Sequence, residues 1–80
     1  MVGFAPTPMP PPGYYIAEEL KARGITVEDF ARHLRIDGWH AERLLDGGLR
    51  IDEPFAAAIG QLFEVSPDLF LNLQRAYDDQ

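Results

Sequence analysis

The sequence contains no cysteine, which excludes disulfides and thiolate metal sites. Its two histidines, His33 and His40, are too few to anchor a histidine-based metal cluster. No apolar run approaches the roughly 18 residues of a membrane helix, so no membrane association is expected. No Lys or Arg precedes Lys21, which argues against a secretory leader and points to a cytoplasmic protein. The ingredients of catalysis are missing as well. There is no cysteine to act as a nucleophile, and for Ser66 a helix-capping role suffices. Glu18-Glu19 and Asp78-Asp79 are paired carboxylates, but adjacent residues on a helix point apart. Gly47-Gly48 reads as a helix stop rather than a phosphate-binding loop. Neither an enzyme nor a cofactor is expected.

What is present fits one small domain. Eighty residues leave room for no more. A chain this short buries only about 60–65% of its unfolded surface, so a partner subunit is a natural source of extra core. The net charge of -6 is unevenly spread. Residues 1–20 carry -2 and residues 51–80 carry -5. Residues 21–50 carry six of the seven basic groups against five acids, for +1. An acidic total argues against non-specific binding to nucleic acid, because affinity for phosphate grows with local positive charge. The asymmetry still allows one locally basic face.

Five of the seven prolines, Pro6, Pro8 and Pro10 to Pro12, lie within residues 1–12. Proline lacks a backbone donor and disfavours helix at the residue before it. Residues 1–12 are therefore expected as an extended, partly polyproline-II arm, and residues 13–80 as the folded domain. Val2, Phe4 and Met9 are the side chains that would let the arm pack on the body.

From Gly13 onward the pattern is helical with short breaks. A first helix is expected over Tyr14–Arg23, stopped by Gly24, with Ile16, Ala17 and Leu20 inward. Thr26-Val27-Glu28-Asp29 resembles a capping box and opens a second helix, with Val27, Phe30, Ala31 and Leu34 on one stripe. Arg35-Ile36 makes a tight break. Asp37 caps a third helix reaching about Asp46, with Ala41, Leu44, Leu45 and Gly48 inward. Asp52 caps a fourth, which tolerates Pro54 in its first turn. There Ala56, Ile59, Leu62 and Phe63 face inward, and Ala57, Ala58 and Gly60 allow close approach. Ser66-Pro67 opens the fifth, with Leu69, Phe70, Leu73 and Tyr77 as its stripe. Leu71, with Gln74 and Tyr77, is expected at a dimer contact. No run alternates at period two, so no sheet is expected. The fold class is all-α, a five-helix bundle with an extended Pro-rich N-terminal arm.

The second and third helices are short and separated by a very short turn, which suits a helix-turn-helix. In such a motif one helix braces the other so that its outer face can enter the major groove. Ala31 is small enough to let the two helices cross closely.

Three segments then carry a family likeness. Pro12-Gly13-Tyr14-Tyr15-Ile16-Ala17-Glu18-Glu19-Leu20 resembles the opening of the HigA-type antitoxins, within the Cro/CI-like (XRE) helix-turn-helix superfamily. Thr26-Val27-Glu28-Asp29-Phe30-Ala31-Arg32-His33-Leu34 is similar to that family's second helix. Ser66-Pro67-Asp68-Leu69-Phe70-Leu71-Asn72-Leu73-Gln74, with Tyr77-Asp78 after it, is similar to its closing signature. The resemblance covers residues 12 to 78. It implies a lambda-repressor-like bundle that works as a homodimer, binds an operator and represses its own operon. It also implies a toxin as a further partner. The DNA reader would be the third helix, including Gly38, Trp39 and His40 at its start.

That helix departs from the family pattern. Steps of 100° from Ala41 leave Trp39, Glu42, Arg43 and Asp46 outward, with His40 on the flank. Arg43 alone is clearly suited to a base or phosphate. Asp37, Glu42 and Asp46 against Arg43 give the segment -2. Two roles remain open for Arg43, a base reader or a salt bridge to Asp46 or Glu42. Arg32, Arg35 and Arg50 read as phosphate clamps or as solvated surface charges. Arg35 also stands where a turn glycine is common. Trp39 leaves a large apolar area wet. It would pack on the arm, stack on DNA or anchor a protein partner. Two functions follow: a sequence-specific DNA-binding regulator, or a helix-turn-helix scaffold whose acidic, Trp39-centred face binds another protein.

Overall fold

In a computed structural model, residues 9–80 are described. They form five helices: α1 (Pro12–Arg23), α2 (Val27–Leu34), α3 (Gly38–Asp46), α4 (Glu53–Phe63) and α5 (Pro67–Asp78). No strand occurs among the described residues. The all-α bundle expected from the sequence is what forms. Helix α1 begins at Pro12, two residues before the expected Tyr14. Proline suits that first position because its missing N–H would have had no helical partner there. Of the arm, residues 1–8, with Val2 and Phe4, lie outside the described residues. The stretch from Met9 to Pro11 runs against the body. The Met9 N–H donates to Gln80 Oε1 at 2.7 Å, and Gln80 Nε2 donates to the Met9 carbonyl at 2.9 Å. Pro11 is extended, with φ -62° and ψ 154°. Its ring lies so close to Gly47 that a Cβ there would meet Pro11 Cγ at 2.7 Å.

Each expected cap works as the sequence suggests. Thr26 Oγ1 accepts from the Asp29 N–H, Asp37 Oδ1 from His40, Asp52 Oδ1 from Phe55 and Ser66 Oγ from Asp68. Each satisfies a donor that the helix start leaves unpaired. Asp29 does not complete the capping box; its carboxylate holds Arg32 instead. At the other ends, α1, α2, α3 and α4 close alike. A left-handed residue (Gly24, Arg35, Gly47 or Glu64) is followed by an N–H that returns to the carbonyl five residues earlier. This is the Schellman closure.

The core joins all five helices through Ile16, Leu20, Phe30, Leu44, Ile59, Phe63 and Phe70. Two glycines mark the tightest approaches. A Cβ on Gly13 would meet the Leu44 carbonyl oxygen at 2.1 Å, so α1 lies directly on the end of α3. A Cβ on Gly60 would meet the Val65 carbonyl oxygen at 2.7 Å, which lets the α4–α5 turn fold back on α4. Two inward assignments are corrected. Leu69 is 50% exposed, because its side of α5 has no covering element among the described residues. Gly48 is exposed, because α3 ends at Asp46 and helical steps cannot be carried past it. Among the described residues no helix is long and apolar enough to cross a membrane.

Candidate nucleic-acid interface

Helices α2 and α3 are joined by Arg35, Ile36 and Asp37 alone. Phe30, Ala31 and Leu34 of α2 are buried, as are Ala41 and Leu44 of α3. Ala31 sits in that core, as its small size suggested. Burial on these sides leaves the opposite side of α3 open. All seven candidate contact residues, Arg32, Arg35, Gly38, Trp39, His40, Arg43 and Arg50, are exposed. Trp39 is the most open large apolar side chain described, at 64%. Its ring meets His40 edge-on, with centroids 5.0 Å apart. Gly38 is in the first turn, where a Cβ would meet open space.

The charges at this surface are largely paired. Arg32 Nη1 lies 2.7 Å from Asp29 Oδ1. Arg43 pairs with Asp46 one turn along α3. Asp46 is committed on its other oxygen as well, accepting the Gly48 N–H at 2.9 Å. Arg50 Nη1 reaches Asp78 at 2.5 Å. Arg35 alone of the four forms no ion pair among the described residues. It stands in the left-handed region at φ 61°, where a side chain costs about 1–2 kcal/mol.

Asp37 ties the start of α3 together. One carboxylate oxygen accepts from the His40 N–H at 2.8 Å and lies 2.7 Å from His40 Nδ1. The backbone bond first, and the ring second, hold this carboxyl below its ordinary range. Asp78 is also lowered, first by Arg50 and then by Gln74. His33 lies with Nε2 3.1 Å from the Ala58 carbonyl, on the flank of α2.

Sequence reasoning missed one connected network. Gln74 is 5% exposed. Its Oε1 accepts from the buried Ile51 N–H at 2.9 Å, and its Nε2 donates to Asp78 at 3.0 Å. The Arg50 head is thereby linked through Asp78 and Gln74 to α5. The signal was available: Gln74 lies four residues after Phe70, on the same face. Of the three residues expected at a dimer contact, Leu71 and Tyr77 are half-buried and Gln74 is turned into its own chain. Among the described residues, no group of three or more His, Asp or Glu side chains could hold a metal.

No model of a known protein family matches the chain. It is 34% identical to the HTH-type transcriptional regulator YddM of Escherichia coli K12 over 68 residues, 85% of this chain and 72% of that protein. The structure of a HigA-family addiction module antidote protein from Coxiella burnetii superposes with a TM-score of 0.77. Identity there is 34%, over 88% of this chain and 79% of the other. The chain belongs to the HigA-type antitoxins, with their XRE-like helix-turn-helix. The Pseudomonas aeruginosa antitoxin HigA, solved with the higBA promoter, is similar at a TM-score of 0.81 and 25% identity. That match covers 90% of this chain and 78% of the other. HigA-type proteins of this kind are regulators and antitoxins, not enzymes.

Proposed function

We propose that this HigA-type protein binds an operator in its own promoter as a homodimer and represses its operon. The observation that carries this is the α2–α3 pair. Its inner sides are buried and its turn is three residues long, while α3 keeps Trp39, His40 and Arg43 exposed. Two such helices would enter successive major grooves roughly 34 Å apart. Arg35 would hold a phosphate directly. Arg32 and Arg50 would share their guanidinium groups between phosphate and the carboxylates already beside them. Phosphate contacts position the protein, and Trp39, His40 and Arg43 would supply readout of base edges. The solved promoter complex of the Pseudomonas relative supports this reading. A toxin encoded beside the gene would be the second partner, bound and neutralised by this chain in the cytoplasm.

The ion pairs at Arg32, Arg43 and Arg50 favour a second reading, in which the face around Trp39 binds protein instead of DNA. A gel mobility-shift assay separates the two. Upstream DNA is tested as it stands and with five base pairs inserted between the half-sites. Retardation lost on insertion supports the dimeric regulator. No retardation of either DNA, together with a partner whose affinity falls in Trp39→Ala, supports the protein-binding face.

A further inference from the structure

His40 is the third residue of α3, in the first turn, the part of a recognition helix that meets base edges. Its ring is held on two sides. Nδ1 lies 2.7 Å from Asp37 Oδ1, the same oxygen that caps the helix by accepting the His40 N–H. The Trp39 ring meets the imidazole edge-on, with centroids 5.0 Å apart. The His40 side chain is still 49% exposed, and its Nε2 makes no hydrogen bond among the described residues.

The chemistry of Asp37 decides which ring nitrogen carries the proton. At neutral pH its carboxyl is ionised, because its pKa lies below the ordinary 3.8. A carboxylate only accepts hydrogen bonds, so at 2.7 Å Nδ1 is the donor. A neutral imidazole has one donor and one acceptor nitrogen, and the bond made by one sets the role of the other. Nε2 is therefore an acceptor on an exposed edge. No second carboxylate competes for the ring. Glu42 and Asp46 of α3, Glu28 and Asp29 of α2, and Glu18 and Glu19 of α1 form no ion pair with it. The nearby cations Arg32 and Arg43 are paired with Asp29 and Asp46, and Arg35 stands in the turn before α3.

An acceptor in the major groove is met by the amino group of adenine or cytosine, whereas guanine N7 and O6 and thymine O4 are acceptors and oppose it. We propose that His40 is a specificity-determining residue that accepts a hydrogen bond from a base amino group through Nε2, and that Asp37 is the positioning residue that fixes the tautomer. This rests on the DNA half of the proposed function. It also makes the readout proton-dependent. In a protonated imidazole both ring nitrogens donate, and the same edge then suits guanine N7 or O6.

The test has two arms, both on the full chain. In the first, long-range ¹H–¹⁵N NMR of the free protein at about pH 8 should show His40 protonated at Nδ1 and bare at Nε2. Asp37→Ser should lose that bias. It keeps an oxygen for the cap, as Ser66 does for α5, but one too short to reach the ring. In the second arm, the protein selects duplexes from a random pool at about pH 8. One position of the recovered half-site should favour adenine or cytosine over guanine by about five- to tenfold. This preference should vanish in His40→Ala and in Asp37→Ser. In the wild type it should turn towards guanine at about pH 5.5. His33 is present in both proteins, so the turn must be absent from His40→Ala. A proton on Nε2 in the free protein, guanine favoured at the higher pH, or the same sites recovered by wild type and His40→Ala overturns the proposal while leaving DNA binding intact. Recovery of no preferred duplex by the wild type defeats the operator reading itself, and this inference with it.

Discussion

Two turns in this protein share one backbone and present opposite charges. Arg35 ends α2 and Glu64 ends α4, both at φ 61° and ψ 43°. Behind each, a β-branched residue returns its N–H to the helix, Ile36 to Ala31 at 3.0 Å and Val65 to Gly60 at 2.9 Å. Glycine fills the same place at Gly24 and Gly47 without the steric penalty. The difference lies in what surrounds the turns. Ile36 packs against the core, and Arg35 stands beside the candidate reader helix. Val65 stays half in water on a groove between α1 and α5, with Glu64 next to it. A left-handed closure is thus a fixed local solution, on which an exposed side chain of either charge can be carried.

The largest expected effect comes from exchanging the residues that receive those returning N–H groups. Gly60→Ala puts a Cβ 2.7 Å from the Val65 carbonyl oxygen and 3.2 Å from the Pro67 nitrogen, both backbone atoms. It should cost about 2 kcal/mol in urea unfolding, since overpacking of this kind outweighs alanine's better helix propensity. At the matching place in α2, Ala31→Gly should cost about 1 kcal/mol. Equal costs would mean that the two turns are packed alike, against the contacts seen here.

Next come the left-handed residues themselves. Arg35→Gly and Glu64→Gly should each raise stability by about 0.5–1 kcal/mol, because glycine removes the strain but widens the unfolded ensemble. Their binding should diverge. Arg35→Gly should lower DNA affinity and reduce the salt slope by about one, while Glu64→Gly should leave both unchanged. If Glu64→Gly weakens DNA binding as much as Arg35→Gly does, the separation of the two turns fails.

The smallest effect is in acid. The helix after Arg35 is capped by Asp37, and the helix after Glu64 by Ser66, which does not titrate. Asp37 has its folded pKa below the ordinary 3.8. Its contribution is therefore present above that value and is lost as pH falls through the lowered one. NMR titration should show the His40 amide losing its cap shift below pH 3.8.

Much of this architecture was legible in the chain because caps are local. Thr26, Asp37, Asp52 and Ser66 each need only the next two or three residues to do their work. Arg35 stood out because it lies between two short helices. Features set by distant contacts were hidden. A stripe shows that Leu69 and Leu73 share a side of α5, but not that α1 leaves Leu69 open. Gln74 is expected at a dimer contact, yet it lies on the Phe70 face and its partner, Ile51, is 23 residues away. The pairing of Arg50 with Asp78 spans 28 residues and has no local signature. The candidate DNA residues are legible as exposed positions and Arg43 as a partner for Asp46, whereas the Arg50–Asp78 pair becomes visible only in three dimensions.

The most direct test of the central claim is a fluorescence-anisotropy titration of the full protein against its own upstream DNA at two salt concentrations, for wild type and Arg35→Ala. The account predicts binding that weakens steeply with salt, and a slope shallower by about one in the variant. No binding of the wild type at low salt, or binding indifferent to both salt and Arg35, would contradict it.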